Sequence, residues 1–217
     1  MQTVLDTGAA LIQNRGPIEK IHQHICGVHF YSGDMSRQVI AHHYCHHLSA
    51  DMHQCVIYDS DQPDARLIGI EYIVSEKLFM ELPDDEKKLW HSHDYEVRGG
   101  IITAPGLPLV VEHKLMSHLH KTYGKVFHTW QVDRGDKVPL GIPQLMMSFT
   151  GPNQANDHLI QKTSPQELIE NRSDLPPNVK VPGADAWENG FIYQTNLESK
   201  TVQRLNDEVF FRVKQDK

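Results

Sequence analysis

Apolar and polar positions alternate in short runs along most of this chain, and Gly, Pro, Asp and Ser bound the runs. Alternation with a period of two marks strands that bury one face. Ile25–Tyr31 predicts one strand, closed by a turn at Ser32-Gly33-Asp34. Cys55–Asp59 predicts another, followed by a polar turn containing Asp61 and Pro63. Arg66–Val74 is apolar on both faces and predicts a central strand, interrupted only by Glu71. Ile101–Thr103, Val126–Val132 and Leu145–Phe149 predict three more. Arg37–Leu48 admits two readings. As a strand it puts His42, Tyr44 and His46 on one face and His43, Cys45 and His47 on the other; as a helix it makes His42/His46 and His43/His47 neighbours.

Helical spacing is rarer. Ser75–Met80 predicts a short helix capped by Ser75. Pro83–Leu89 predicts a second, with Asp84, Asp85 and Glu86 ahead of Lys87 and Lys88, the order that the helix dipole favours. Leu109–Tyr123 predicts the one long helix, ended by Gly124. Residues 1–20 read as a short helix or loose arm ending at Arg15-Gly16-Pro17. After Gly151-Pro152 the composition turns polar and prolines recur. Residues 151–217 therefore read as an extension wrapping a core of residues 21–150. It would hold a helical turn at Gln166–Asn171, strands at Phe191–Thr195 and Val209–Val213, and anchors at Trp187, Phe210 and Phe211. Together these predict an α+β domain: a mostly antiparallel mixed sheet, free to close into a barrel, with the long helix packed on it.

The 217 residues carry 39% hydrophobic and 23% charged residues, a globular balance. A net charge of -7 argues against broad nucleic-acid binding, which needs a basic face. No apolar run reaches the roughly 18 residues of a membrane span, and Met1–Leu11 does not read as a secretory leader. Cys26, Cys45 and Cys55 are odd in number and form no Cys-x-x-Cys, so free thiols in a reducing, cytoplasmic setting are expected rather than a disulfide framework.

The chemistry concentrates in Trp90-His91-Ser92-His93-Asp94-Tyr95-Glu96-Val97. Read as a strand, this stretch aims His91 and His93 at one face, where two neutral imidazoles begin a metal site. Glu96 lies three residues beyond His93 and needs a bulge or turn to face the same way. Glu71 needs no such distortion if its strand is adjacent; otherwise it demands a salt bridge, with Arg66 or Arg37 as candidates. His128 is the polar residue on an otherwise apolar strand face and offers a third imidazole. Such a set suits one divalent ion, Fe or Zn, with Cu also allowed, acting on a small-molecule substrate. Tyr44 and Tyr72 would serve as proton donors or orienting groups, with Cys45 beside them. A thiol nucleophile at Cys45 or Cys55 is a further alternative, though no partner base is evident.

Several stretches taken together resemble the oil-body-associated proteins of plants and their fungal and bacterial relatives. The residues are Ala41-His42-His43-Tyr44-Cys45, Gln54–Asp59, Ala65–Tyr72, Leu89–Val97, Tyr123-Gly124-Lys125 with His128-Thr129-Trp130, and Pro139-Leu140-Gly141 through Leu145–Ser148. The resemblance runs from about residue 22 to 150. It implies a protein able to associate peripherally with lipid-droplet surfaces, and no settled reaction. His46 and His47 and the short Pro105–Pro108 connection depart from the plant pattern. A non-catalytic, surface-binding alternative would use Leu107–Val111, Leu145–Phe149 and the N-terminal arm. No segment pairs a strong apolar face with a basic one, as surface helices do. A homodimer is left open, without a specific signal for it.

Overall fold

The computed structural model describes residues 8–9, 11–163 and 166–197, with two short strands at 204–205 and 208–209. Residues 1–7 lie outside the described residues, as do residues 210–213 of the strand expected at Val209–Val213, with Phe210 and Phe211.

Seven strands make the central sheet. They are β1 (Gln23–Tyr31), β2 (Asp34–His47), β3 (Met52–Tyr58), β4 (Leu67–Ser75), β5 (His91–Ser92), β6 (Thr122–His128) and β7 (Gln144–Met147). β1 to β4 form an antiparallel meander, β6 joins β4, β7 joins β6, and β7 returns to β1. Six strands thus close a barrel, and every pairing among the named strands is antiparallel. Closure leaves the meander without a free edge, the usual liability of an open sheet. The α+β expectation holds, and so does the barrel it allowed. Arg37–Leu48 resolves as the strand β2, which the turn at Gly33 (φ 87) starts back along β1.

The sixth stave is discontinuous. β7 reaches only the Phe30–Tyr31 end of β1 and the Val126–His128 end of β6. At the other end, His91 and Ser92 pair with Gly124 and Tyr123 of β6, and Thr103 bridges to Cys26 of β1. The segment from His91 to Thr103 therefore plugs a gap in the barrel wall, where backbone groups need partners other than β7.

Several local expectations are corrected. The long helix stops at Leu119, since the chain then serves as β6; Leu109–Leu119 is one of several short helices. Gly124 is a strand residue and not a cap. Val126–Val132 ends as a strand at His128 and gives way to a 3-10 turn at Val132–Arg134. Ile101–Thr103 contributes a single bridge, and Phe191–Thr195 forms no strand. The cap at Ser75 is present, its hydroxyl accepting from Leu78 N at 3.4 Å. Cys45 and Cys55, directly opposed on β2 and β3, are joined by a disulfide, so neither is a free thiol. Period-two geometry brought them together, which counting cysteines could not foresee.

Apolar layers fill both ends of the barrel. Tyr31, Val39, Ala41, Ile57, Ile68, Val126 and Met146 close one end. Ile25, Ile73 and the disulfide fill the other, under Val97, Ile102, Met116 and Leu119 from the covering helices and loop. The later chain packs outside: Ala155, Leu159, Ile160 and Trp187 cover Phe30 and its neighbours. Arg172 is fully buried, donating to Val97 O and Ile102 O at 2.7 and 2.8 Å and pairing with Glu112.

A buried histidine layer as candidate metal centre

Between the two apolar plugs lies a polar layer. His29 comes from β1, His43 from β2, Glu71 from β4, His91 from β5 and His128 from β6; His93 and Glu96 follow β5. All seven side chains are buried. Cross-strand register explains the meeting, because inward positions on neighbouring strands fall level when the period is two. Glu71 faces inward between outward Ile70 and Tyr72, as His43 does between His42 and Tyr44.

The stretch around His93 is not the continuous strand expected. His91 and Ser92 are extended, and a helix begins at Asp94 and runs to Arg98. That turn brings Glu96 back inside, because residues three apart share a helix face. Ser92, between the two imidazoles, is held by the buried Asp185 carboxylate, which accepts from Ser92 N at 2.9 Å and from Ser92 Oγ at 2.7 Å.

Glu71 is the hub. Its Oε2 lies 2.9 Å from His43 Nε2; its Oε1 lies 3.3 Å from His93 Nε2 and 3.5 Å from His91 Nε2. Two groups, Glu71–His91–His93 and His29–His43–Glu71, each have potential ligand atoms within 4.8 Å of one another. Arg66 and Arg37, proposed partners of Glu71, instead bind Asp59 and Asp133. Gly124 on β6 belongs to the same design: a Cβ there would collide with Glu71 Oε1 and His91 Nε2.

Hydrogen bonds fix two of the rings. Thr122 Oγ1 donates to Leu119 O at 2.6 Å, so it accepts from His93 Nδ1 at 2.8 Å. His43 Nδ1 faces Ile25 O at 3.3 Å, a group that only accepts. Both rings thus carry hydrogen on Nδ1 and present an Nε2 lone pair to Glu71 when neutral. His91 has no hydrogen-bond partner on either ring nitrogen. His128 Nε2 lies 3.2 Å from His29 Nδ1, while its Nδ1 is unpartnered.

Charge follows from this geometry. Burial alone would raise the Glu71 carboxyl, but the facing imidazoles of His43, His91 and His93 prevail and hold it well below the usual range. Burial lowers His93, takes His29 well below its ordinary value and pushes His128 down to about 3. Burial also raises Glu96 well above the carboxylate range, against the Ser148 hydroxyl, which favours its protonated form. The layer therefore contains a carboxylate whose ion-pair partners, among the described residues, are imidazoles only.

An enclosed cavity of about 10 Å³ lies among His29, His43, Glu71, His93 and Glu96, under Ile25, Ile102 and Leu119. That is about the room of one water.

Of the residues singled out in the sequence, His91, His93, Glu71, Glu96 and His128 all enter this layer. Tyr44 and Tyr72 do not: Tyr44 stacks outside on His24 at 4.6 Å, and Tyr72 is 37% exposed. His29 and His43 were not among the candidate ligands read from the sequence. Their inward direction depends on strand register, and the ambiguity over Arg37–Leu48 hid it. Cys26, the one free cysteine, is buried on the outer face, and burial with the nearby Asp61 pushes its thiol up to about 12, unlike an activated nucleophile.

The family model described as "Protein of unknown function (DUF1264)" matches residues 15–174. Oil body-associated protein 1B of Arabidopsis thaliana is 53% identical over 160 residues, covering 74% of this chain and 66% of that protein. Oil body-associated protein 1A of Zea mays is 53% identical over 210 residues, covering 92% of this chain and 88% of the relative. Oil body-associated protein 2C of Arabidopsis thaliana is 41% identical over 211 residues, covering 93% and 89%. No solved structure matches.

Proposed function

The chain belongs to the oil body-associated protein family, the DUF1264 domain, and from that premise we propose that it is a divalent-metal-binding protein. Its ion is held inside the barrel by Glu71, His91 and His93. His43 stands on the second oxygen of Glu71 as a further ligand. Zinc or ferrous iron suits two or three imidazoles and one carboxylate.

One observation carries this reading. Three imidazole Nε2 atoms surround one buried carboxylate, and in two of those rings the other nitrogen holds the hydrogen. The lone pairs of those two rings then face the carboxylate across 2.9 and 3.3 Å. One proton relieves one such contact; a divalent cation relieves all of them and supplies the absent positive charge. Burying these groups without a cation leaves His91 unpaired at both nitrogens, a cost of about 1–3 kcal/mol per orphaned group.

The adjoining cavity has room for one water-sized ligand. When bound, the metal would supply Lewis-acid activation of that ligand. Glu96, on the same cavity and raised by burial toward its protonated form, is positioned to hold or donate a proton there. We favour a mononuclear enzyme of small-molecule chemistry on this basis.

The test is elemental analysis of protein purified without an affinity tag. At least one equivalent of zinc or iron is expected, and the one equivalent assigned to the barrel should be lost in His91→Ala/His93→Ala and in Glu71→Gln. Metal-free protein whose melting temperature ignores both chelator and added ion sinks the proposal.

A second reading concerns place rather than chemistry. The relatives are named for oil bodies, and we propose peripheral attachment of this chain to a lipid-droplet surface. Val110 and Val111 are 82% and 51% exposed at the start of the Leu109–Leu119 helix, beside exposed Leu107. Among the described residues no helix is long and apolar enough to cross a membrane. Co-flotation with phospholipid-coated triacylglycerol emulsions, reduced by Val110→Lys/Val111→Lys, checks it; unreduced flotation of that variant removes this surface from consideration.

A further inference from the structure

A second cluster of ligating side chains lies outside the barrel, on the opposite face of β1 and β2. Cys26 and His42 are directly opposed across these strands, and His24 and Tyr44 form the neighbouring pair. Cys26 Sγ stands 3.8 Å from His42 Nε2, and His42 Nδ1 stands 3.0 Å from His24 Nε2. Tyr44 lies flat on His24, ring centroids 4.6 Å apart at an interplanar angle of 2°. The Tyr44 ring therefore restricts His24, and His24 in turn orients His42. Cys26, His42 and Asp61 border an open cavity of about 400 Å³ that Thr103–Leu107 and Glu112 also line. Nothing in the barrel site uses these groups, and the barrel wall separates the two sets.

We propose that this cluster is a second metal site, selective for a thiophilic cation such as zinc, with Cys26 Sγ and His42 Nε2 as its ligands. Asp61 borders the same cavity and adds a nearby negative charge; water from the cavity fills the remaining positions.

The spacing supports a shared ion. Tetrahedral zinc with bonds of about 2.3 Å to sulfur and 2.0 Å to nitrogen places those atoms about 3.6 Å apart. The observed 3.8 Å requires a shift of only about 0.2 Å. With Nε2 on the metal, His42 Nδ1 carries the hydrogen and donates it to His24 Nε2 at 3.0 Å. That outer hydrogen bond is the usual support of a ligating histidine. The chemical class follows from the donors: sulfur beside imidazole favours zinc or cuprous ion over magnesium or calcium. On binding, the Cys26 S–H bond breaks, its proton passes to solvent and a sulfur–metal bond forms.

Cobalt(II) is a suitable probe, because a sulfur ligand gives an intense near-ultraviolet charge-transfer band and imidazole or carboxylate ligands do not. Cys45 and Cys55 are tied in a disulfide, so Cys26 is the available sulfur. The barrel layer holds no cysteine, which makes the band specific to this site. In non-reducing buffer the unaltered protein should develop the band on cobalt titration. Cys26→Ser and His42→Ala should abolish it, and His24→Ala should weaken cobalt binding about 10–100-fold. The band should persist in His91→Ala/His93→Ala, where the barrel site is lost. X-ray absorption of that double variant loaded with zinc should show one sulfur at about 2.3 Å. If it fails to fold, the same measurement on the unaltered protein with two equivalents of zinc should still show the sulfur neighbour. A titration without the band, a band that survives Cys26→Ser or His42→Ala, or a zinc spectrum without sulfur overturns the proposal.

Discussion

Thr122→Val tests the histidine layer with a change of almost no volume. In the native chain the Thr122 hydroxyl accepts from His93 Nδ1 at 2.8 Å and passes its own hydrogen to Leu119 O at 2.6 Å. Valine keeps the shape and removes both bonds. His93 is 2% exposed, so its Nδ1–H has no water to turn to. Two effects follow, and they are separable. In the metal-free protein the stranded donor should cost about 1–3 kcal/mol of folding stability, read from urea unfolding in the presence of chelator. In metal binding, the ring loses the acceptor that fixes its tautomer and aim. Zinc affinity should fall about 10–100-fold, or about 1.4–2.7 kcal/mol. Competition against a chromophoric chelator reads that loss. Thr122→Ser, which keeps the hydroxyl, should recover most of the affinity even where stability stays low. Two results refute the reasoning: valine binding zinc like the parent, or serine binding it no better than valine.

Gly124→Ala places a methyl group on Glu71 Oε1 and His91 Nε2; about 1–3 kcal/mol of stability should be lost by urea unfolding, and elemental analysis of the variant should show loss of barrel-bound metal. Arg172→Met strands Glu112 in the interior and should destabilise by about 3–5 kcal/mol by urea unfolding, whereas a loss under 1 kcal/mol would mean that water reaches Glu112. Reducing the Cys45–Cys55 disulfide, whose partners are 10 residues apart, should cost about 2–3 kcal/mol of unfolding free energy, with no change expected in Cys45→Ala/Cys55→Ala on adding reductant. For pH, the buried His128 is lowered to about 3 and His29 is lowered well below its ordinary value, so both titrate in the unfolded chain near 6.5 and not in the fold. Stability of the metal-free protein should be intact above about pH 6.5 and fall between 6.5 and 4.5 by about 1.4 kcal/mol per unit per histidine. Glu71, held low, titrates below that window, whereas Glu96, raised in the fold, acts across it in the opposite sense and offsets part of the histidine effect. Flat stability across it contradicts the buried, neutral assignment.

Much of the barrel was legible in the alternation. β1, β3, β4, β6 and β7 sit where period-two patterning put them, to within a few residues. Glu71 in an apolar strand was a sound signal, since a lone carboxylate there needs partners. What the pattern could not supply was partner choice across the sheet. The candidates Arg66 and Arg37 were chosen for their charge, but register turned His43, His91 and His93 toward Glu71 instead. The turn at Asp94 was also illegible as local propensity, because His-Asp-Tyr-Glu reads equally as strand or helix start; tertiary closure decided it. Tyr44 and Tyr72 were judged by chemistry alone, and one residue of register separates an inward position from an outward one. Leu109–Tyr123 overran because Thr122 and Tyr123 pair in the sheet, a long-range demand that helical spacing cannot record. The disulfide was hidden for the same reason: composition counts thiols, and only pairing shows which two stand opposite.

The order of events in the life of the chain follows from how the inner imidazoles are assembled. His29 and His128 touch across 99 residues, and between them stand the candidate ligands from β2, β4 and the plug. No hairpin or half-built meander contains a complete set. On the proposed function, an ion would be captured only after the last stave seats, so occupancy would certify that maturation is finished. Release would start where the wall is patched together from fragments, at His91–Thr103, and not through the long hairpin of β1 and β2. Protection from deuterium along that patch should rise with metal more than anywhere else in the molecule.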